Sequence, residues 1–194
     1  LVGSEMCIRD REVSGKIDYN KLIEQFGSQA ITPALIEKFE RVTGCKAHPW
    51  IRRGIFFSHR DLAKILDAAE NKKGLYLYTG RGPSSAAMHL GHLVPFLMTQ
   101  WLQAALNVPL VVQMTDDEKF LWKGQYTDEA GDNLGHFHQL AMENARDIIA
   151  CGFARERTFL FSDLDFVGTM YPVSYTHHRA HETPEHRVIR GGPL

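Results

Sequence analysis

Cysteine is scarce: Cys7, Cys45 and Cys151 are the three in 194 residues. They are too few and too scattered for a disulfide framework or a cysteine-built zinc cluster, so a reducing, cytoplasmic setting is expected. An excess of positive charge is missing too. Twenty-two Lys and Arg against 23 Asp and Glu leave a formal charge of −1. No global field therefore draws in nucleic acid, and any such binding needs a local patch or further chain. No apolar run approaches the ~20 residues of a membrane-crossing helix, so no membrane association is expected. What is present, 44% hydrophobic and 23% charged residues, is the balance of a folded domain rather than of a disordered tail.

The two ends differ from the middle. Residues 1–11 (LVGSEMCIRDR) show neither helical nor strand periodicity, and residues 173–194 place His177, His178, His181 and His186 within ten positions. Both resemble peptides translated from sequencing-adapter DNA and are set aside from the fold. The rival reading of the second is a His-rich metal-binding tail.

The remainder divides at about residue 73. Residues 12–73 read as a helical extension. Asp18 caps a short helix with Leu22, Ile23 and Phe26 on its apolar face and Gly27 at its end. Thr32-Pro33 is a capping hydroxyl followed by proline, and Leu35, Ile36, Phe39 and Val42 then keep helical spacing up to Gly44. Ser58 and Asp61 suggest a capping box for a helix through Leu62, Ile65, Leu66 and Ala69, closed by Lys72-Lys73-Gly74. Residues 74–172 change pattern. Leu75 to Tyr78 is a short β-prone run that breaks into Thr79-Gly80-Arg81-Gly82-Pro83. Helix, strand (Val108 to Met114), helix (Asn133 to Cys151) and strand (Thr158 to Ser162) follow. That order builds a parallel sheet, so the fold expected is α/β, a Rossmann-like half-domain preceded by helices.

Pro95 places the chemistry. Proline fits a helix's first turn, so the helix ending near Leu106 starts shortly before it, with His89-Leu90-Gly91-His92 at its N-terminus. Free backbone N–H groups and the helix dipole make an anion site there. Gly91 lets a ligand approach the backbone, and the two imidazoles share one helical face. Two histidines at this spacing also suit a structural role or half a zinc site, but no Cys, Asp or Glu in the loop completes one. The loop lacks the third glycine of a dinucleotide fingerprint and the Gly-Lys-Ser/Thr of a P-loop. A phosphate-containing ligand is what the motif alone supports.

The stretch TGRGPSSAAMHLGHLVPF resembles the His-x-Gly-His signature of class I aminoacyl-tRNA synthetases. KIDYNKLIEQFGS, RRGIFFSHRDL, NKKGLYLYTGRGPSS, NVPLVVQMTDDEKFLWK and NARDIIACGF make residues 16–166 similar to the tryptophanyl family of the eukaryotic cytoplasmic type. The resemblance implies ATP-dependent ligation of L-tryptophan to tRNA(Trp) through a tryptophanyl-adenylate, with Mg2+ accompanying the ATP phosphates and a homodimeric full-length protein. It implies that Tyr78 and Gln113 hydrogen-bond the indole nitrogen and that Glu118 takes the α-amino group. Thr79, Gly80, Arg81, Gly82 and Pro83 line the ATP side, with His89, Gly91 and His92 against the phosphates as the catalytic group. The resemblance also implies parts that this chain does not show: a Lys-Met-Ser-type loop and a helical anticodon-binding domain. The expectation is a truncated catalytic domain that does not charge tRNA by itself and activates tryptophan poorly. A tryptophan- or ATP-binding fragment and the sister tyrosine enzyme are the alternatives. Gly124 to Leu140 is longer and richer in glycine than the resemblance leads one to expect, and Gly131 and Gly135 leave the start of that helix open.

Overall fold

The structure is a computed structural model, and it describes residues 21, 23–24, 27–127 and 131–177. Asp18, Leu22 and Phe26, the first eleven residues and the histidines beyond His177 lie outside these. Cα packing divides the chain into two units, Leu1–Gly74 and Leu75–Leu194.

In the first unit, β1 (Gln29–Ala30) pairs antiparallel with β2 (Ser58–His59), and the helices are α1 (Pro33–Thr43), α2 (Pro49–Arg52) and α3 (Leu62–Glu70). Thr32 caps α1 as expected: its side chain accepts from the Leu35 N–H at 3.3 Å, and Gly44 ends the helix in the left-handed conformation at φ 69°. The capping box at Ser58 is not formed. Ser58 is committed to β2, Asp61 sits at φ 56° without a side-chain cap bond, and His59 Nδ1 instead accepts the Leu62 N–H at 3.1 Å. Strand pairing outcompetes the local cap. The helix also stops earlier than Lys72-Lys73-Gly74 suggests, because Asn71 folds its Nδ2 back onto the Asp67 carbonyl at 2.7 Å. Phe39, Ala47 and Leu66 are the buried apolar residues of this unit among those described, and Lys38–Asp67 and Arg41–Glu70 ion pairs, both 2.5 Å, tie α1 to α3.

The second unit is built on three parallel strands, β3 (Leu77–Arg81), β4 (Leu110–Met114) and β7 (Thr158–Ser162), in the order β3-β4-β7. Between β3 and β4 lies α4 (Leu90–Leu106). Between β4 and β7 lie α5 (Asp116–Lys123), a two-residue hairpin of β5 (Tyr126–Thr127) and β6 (Gly131–Asp132), and α6 (Leu134–Ala150); α7 (Asp163–His177) follows β7. The backbone of α7 thus continues past residue 172, where the sequence suggested the fold would end. Strand β3 starts two residues later and ends three residues later than its sequence suggests, because it registers residue for residue with β4, Leu77 on Leu110 through Arg81 on Met114. Thr79 and Gly80 are therefore strand, not turn. Pro95 is the sixth residue of α4, not a first-turn residue, and its missing N–H leaves the Gly91 carbonyl without that intrahelical partner. Gly131 takes φ 71° at the start of β6, and Leu134 starts α6, so the glycine-rich stretch precedes the helix except for Gly135.

The register sorts side chains onto two sheet faces. Leu77, Leu110, Val112, Met114 and Leu160 share one face and join Met88, Phe96, Ala141 and Ile148 in the core, so α4 and α6 cover it. Gln103, 1% exposed, fastens α4 to the start of β7 by donating to the Arg157 carbonyl and Thr158 Oγ1 and accepting from the Ala154 N–H. Tyr78, Val111, Gln113, Phe159 and Phe161 share the other face. Phe166 of α7 packs on Phe159 and Phe161 with ring centroids 5.3 Å apart in each pair, while Tyr78 stays 61% exposed.

Candidate active site

The carboxyl ends of β3, β4 and β7 converge on one edge, where ligands of parallel sheets sit. Two clusters form there.

The first is the loop and helix N-terminus after β3. His89 is the N-cap of α4, and its Nδ1 accepts the Gly91 N–H at 3.1 Å. The His89 and His92 rings stack with centroids 3.6 Å apart at 27°. A Cβ on Gly91 would stand 3.0 Å from the His89 ring, so any larger residue there presses on the protein's own cap before a ligand arrives. Burial, with Arg81 and His89 nearby, holds the His92 imidazole below its ordinary value, so it is neutral at pH 7. His92 Nδ1 is buried without a partner, as is one terminal nitrogen of Arg81. Both retain unspent hydrogen-bonding capacity beside an electropositive helix end.

Arg81 is steered by α6. Its Nε donates to Asn144 Oδ1 at 3.0 Å, while Asn144 Nδ2 donates to the Ser85 carbonyl at 2.6 Å and to the Leu140 carbonyl at 3.0 Å. Asp147 Oδ2 accepts the Met88 N–H at 3.1 Å. One buried asparagine and one aspartate therefore hold both ends of the loop from Gly82, through the buried Pro83, to His89. Gly82 lies under Lys119: a Cβ there would stand 2.3 Å from Lys119 Cε and 3.1 Å from its Nζ. That places an ammonium on the glycine loop. Gly80 is tight for another reason, since a Cβ would stand 3.1 Å from the Gln113 carbonyl oxygen of the neighbouring strand.

The second cluster sits at the end of β4. Tyr78 Oη donates to Gln113 Oε1, and Gln113 Nε2 donates to Asp163 Oδ1 at 2.7 Å. Asp163 is 5% exposed; burial, and then the Asp117 and Asp116 carboxylates beside it, push its carboxyl up to about 6. Asp116, fully buried, accepts from Ser162 Oγ at 2.6 Å and from the Leu164 N–H at 3.3 Å, and its Oδ2 lies 3.0 Å from His138 Nδ1. Glu118 stands exposed on the first turn of α5, where its N–H donates to Asp117 Oδ1 at 2.6 Å.

Tyr78 and Gln113 are thus joined directly, and His89, Gly91 and His92 form one cap with Arg81 beside it. Thr79 and Gly80 belong to β3 between the two groups. Sequence reasoning missed Asp163, Asn144, Asp147, Lys119 and His138, none of which belongs to a motif. A signal for the acids exists: β4 and β7 both run into a hydroxyl-Asp-x-acid step, Thr115-Asp116-Asp117-Glu118 and Ser162-Asp163-Leu164-Asp165.

No protein-family model matches the chain. It is 60% identical over 152 residues to the human protein named cytoplasmic tryptophan–tRNA ligase, covering 78% of this chain and 31% of that one. To the Arabidopsis thaliana protein of the same name it is 52% identical over 169 residues, covering 85% and 40%. The solved Plasmodium falciparum tryptophanyl-tRNA synthetase superposes with a TM-score of 0.76 at 48% identity, covering 86% of this chain and 44% of that one. The Encephalitozoon cuniculi enzyme, solved with tryptophan bound, superposes with a TM-score of 0.71 at 42% identity over 82% and 46%. The chain belongs to the tryptophanyl-tRNA synthetase family. It spans about a third of the length of the curated relatives it matches. Its Rossmann-like parallel sheet is the one shared with the solved tryptophanyl-tRNA synthetases.

Proposed function

We propose that this chain supplies the tryptophan-binding and nucleotide-binding half of an ATP-dependent tryptophan–tRNA ligase site. The observation that carries the reading is the Tyr78–Gln113 hydrogen bond between adjacent parallel strands, on a sheet whose carboxyl edge also bears a helix N-terminus with stacked His89 and His92. The joined hydroxyl and amide offer oxygen acceptors to an indole N–H. Burying an indole contributes about 4–6 kcal/mol if ~150–250 Å² leaves water, but that area hardly separates it from other aromatics. Rejection of phenylalanine comes from acceptors left unpaired. Glu118 takes the α-amino group, and Thr79, Gly80, Arg81, Gly82 and Pro83 line the nucleotide.

In this reading the tryptophan carboxylate attacks the ATP α-phosphate, releasing pyrophosphate and forming tryptophanyl-adenylate; the tRNA 3′ ribose then takes the acyl group. His89, His92 and the free Arg81 nitrogen donate to phosphate oxygens as charge builds, and Gly91 opens the backbone of the helix end. Alignment of two bound reactants removes a large part of the barrier without a protein nucleophile. Among the described residues no three His, Cys, Asp or Glu side chains group as metal ligands. The acids near the sheet edge are bonded to one another and to Gln113, so Mg2+ would arrive on the nucleotide and be held by its phosphates. The tRNA and a second subunit engage parts of the protein beyond the clusters described. The cytoplasm is the compartment named for the relatives, and no described helix is long and apolar enough to cross a membrane.

The test is equilibrium binding of tryptophan, tyrosine and phenylalanine to the full chain, followed by tryptophan-dependent exchange of pyrophosphate into ATP. The expected result is a preference for tryptophan with weak or no exchange. Equal binding of the three amino acids would overturn the reading.

A further inference from the structure

We propose that Asp163 is a specificity-determining positioning residue: its carboxylate fixes which end of the Gln113 amide faces the substrate. The proposal deepens the reading of Tyr78 and Gln113 as the indole site, and rests on it.

A glutamine amide is nearly symmetric in shape, and its orientation is decided by its partners. Here both ends are spoken for. Gln113 Oε1 accepts from Tyr78 Oη, and Nε2 donates to Asp163 Oδ1 at 2.7 Å. A flipped amide would set its carbonyl oxygen against the carboxylate. Asp163 has little freedom to turn aside, being 5% exposed at the start of α7 with Asp116 and Asp117 beside it. With one Nε2 hydrogen directed at Asp163 and the Tyr78 proton on the amide oxygen, the pair presents Gln113 Oε1 and the Tyr78 oxygen as acceptors where the two side chains meet. One lone pair of Gln113 Oε1 and those of the Tyr78 oxygen suit a ring N–H and leave a ring without one unsatisfied. Asp163 lies just beyond Ser162, the last paired residue of β7, and acts on the site through its bond to the Gln113 amide.

The experiment has two readouts on the full chain, in the wild type, Asp163→Asn and Asp165→Asn. Asparagine is isosteric and can either donate or accept, so it releases the amide. Asp165 is the next acid on α7, 3.9 Å from His138 Nε2, and controls for loss of a helix-start charge. The ligand-free readout is the NMR signal of the Gln113 side-chain NH2: a single, exchange-protected pair in wild type and Asp165→Asn, broadened or doubled in Asp163→Asn. The second is the affinity ratio of tryptophan to its benzothienyl isostere, which replaces the N–H by sulfur. Wild type and Asp165→Asn favour tryptophan by about tenfold, the size of one buried hydrogen bond, and Asp163→Asn brings the ratio close to one. An unchanged amide signal in Asp163→Asn overturns the proposal, as does an equal fall of both affinities at an unchanged ratio. An amide signal that depends on Asp163 in a chain indifferent to tryptophan supports the orientation and overturns the indole reading instead.

Discussion

The two faces of the three-stranded sheet are made from the same strands and do different work. On one, Leu110, Val112 and Met114 are almost completely buried under α4 and α6. On the other, Tyr78 and Phe159 remain 61% and 48% exposed, and polar Gln113 sits between apolar neighbours in a central strand. The closed face stores the stability, and through Asn144 and Asp147 it also anchors the glycine loop. The open face holds polar Gln113 between two partners, Tyr78 of β3 on one side and Asp163 just past β7 on the other. A central strand interrupted by glutamine is disfavoured for packing, and the interruption is understandable where a ligand completes the layer.

The sharpest way to break this contrast is to change one residue on each face. Leu110→Ala removes a side chain 1% exposed from the core cluster. It is expected to cost about 2–5 kcal/mol of stability. Urea unfolding checks the number, and a loss under about 1 kcal/mol would mean the helix-covered face is not the stability-bearing one. Tyr78→Phe on the open face removes only an exposed hydroxyl and its bond to Gln113. Stability should change by no more than ~0.5 kcal/mol, while tryptophan affinity falls by about 1 kcal/mol. A large drop in melting temperature with unaltered affinity would reverse the assignment of roles.

The same contrast explains what was legible in the sequence. The closed face announces itself: VPLVVQM and TFLFS are apolar runs, and both strands form within them, β4 beginning two residues in at Leu110. Local caps are legible when nothing competes, as at Thr32, and are misread when pairing does, as at Ser58. The limits of β3 were displaced because an edge strand takes its extent from its partner's register. In the site, the His-Leu-Gly-His turn and the Tyr78–Gln113 pair could be named in advance because motif and resemblance carry them. Asp163 and Asn144 could not, since each acts across 50 to 63 residues of sequence and only the folded chain brings them to Gln113 and Arg81.

The last effect expected is a pH dependence at Asp163. The Asp163 carboxyl, raised to about 6 by burial and by Asp117 and Asp116, keeps its proton in the folded chain at pH values where the unfolded chain has lost it. Between about pH 4, the ordinary aspartate value, and pH 6 the folded state therefore binds more protons. This group's contribution to stability accordingly falls as pH rises through that window. His92 acts in the opposite sense. Its imidazole is held below the ordinary value by burial, Arg81 and His89. The unfolded chain therefore takes up the proton first on acidification, and stability rises with pH below about 6.5. The two slopes overlap, so the quantity to measure is the difference in melting temperature between wild type and Asp163→Asn from pH 4 to 7. That difference should drift in favour of the variant as pH rises and level off above pH 6. A flat difference would mean that Asp163 titrates alike folded and unfolded, and that the acids at the end of β4 do not share a buried charge.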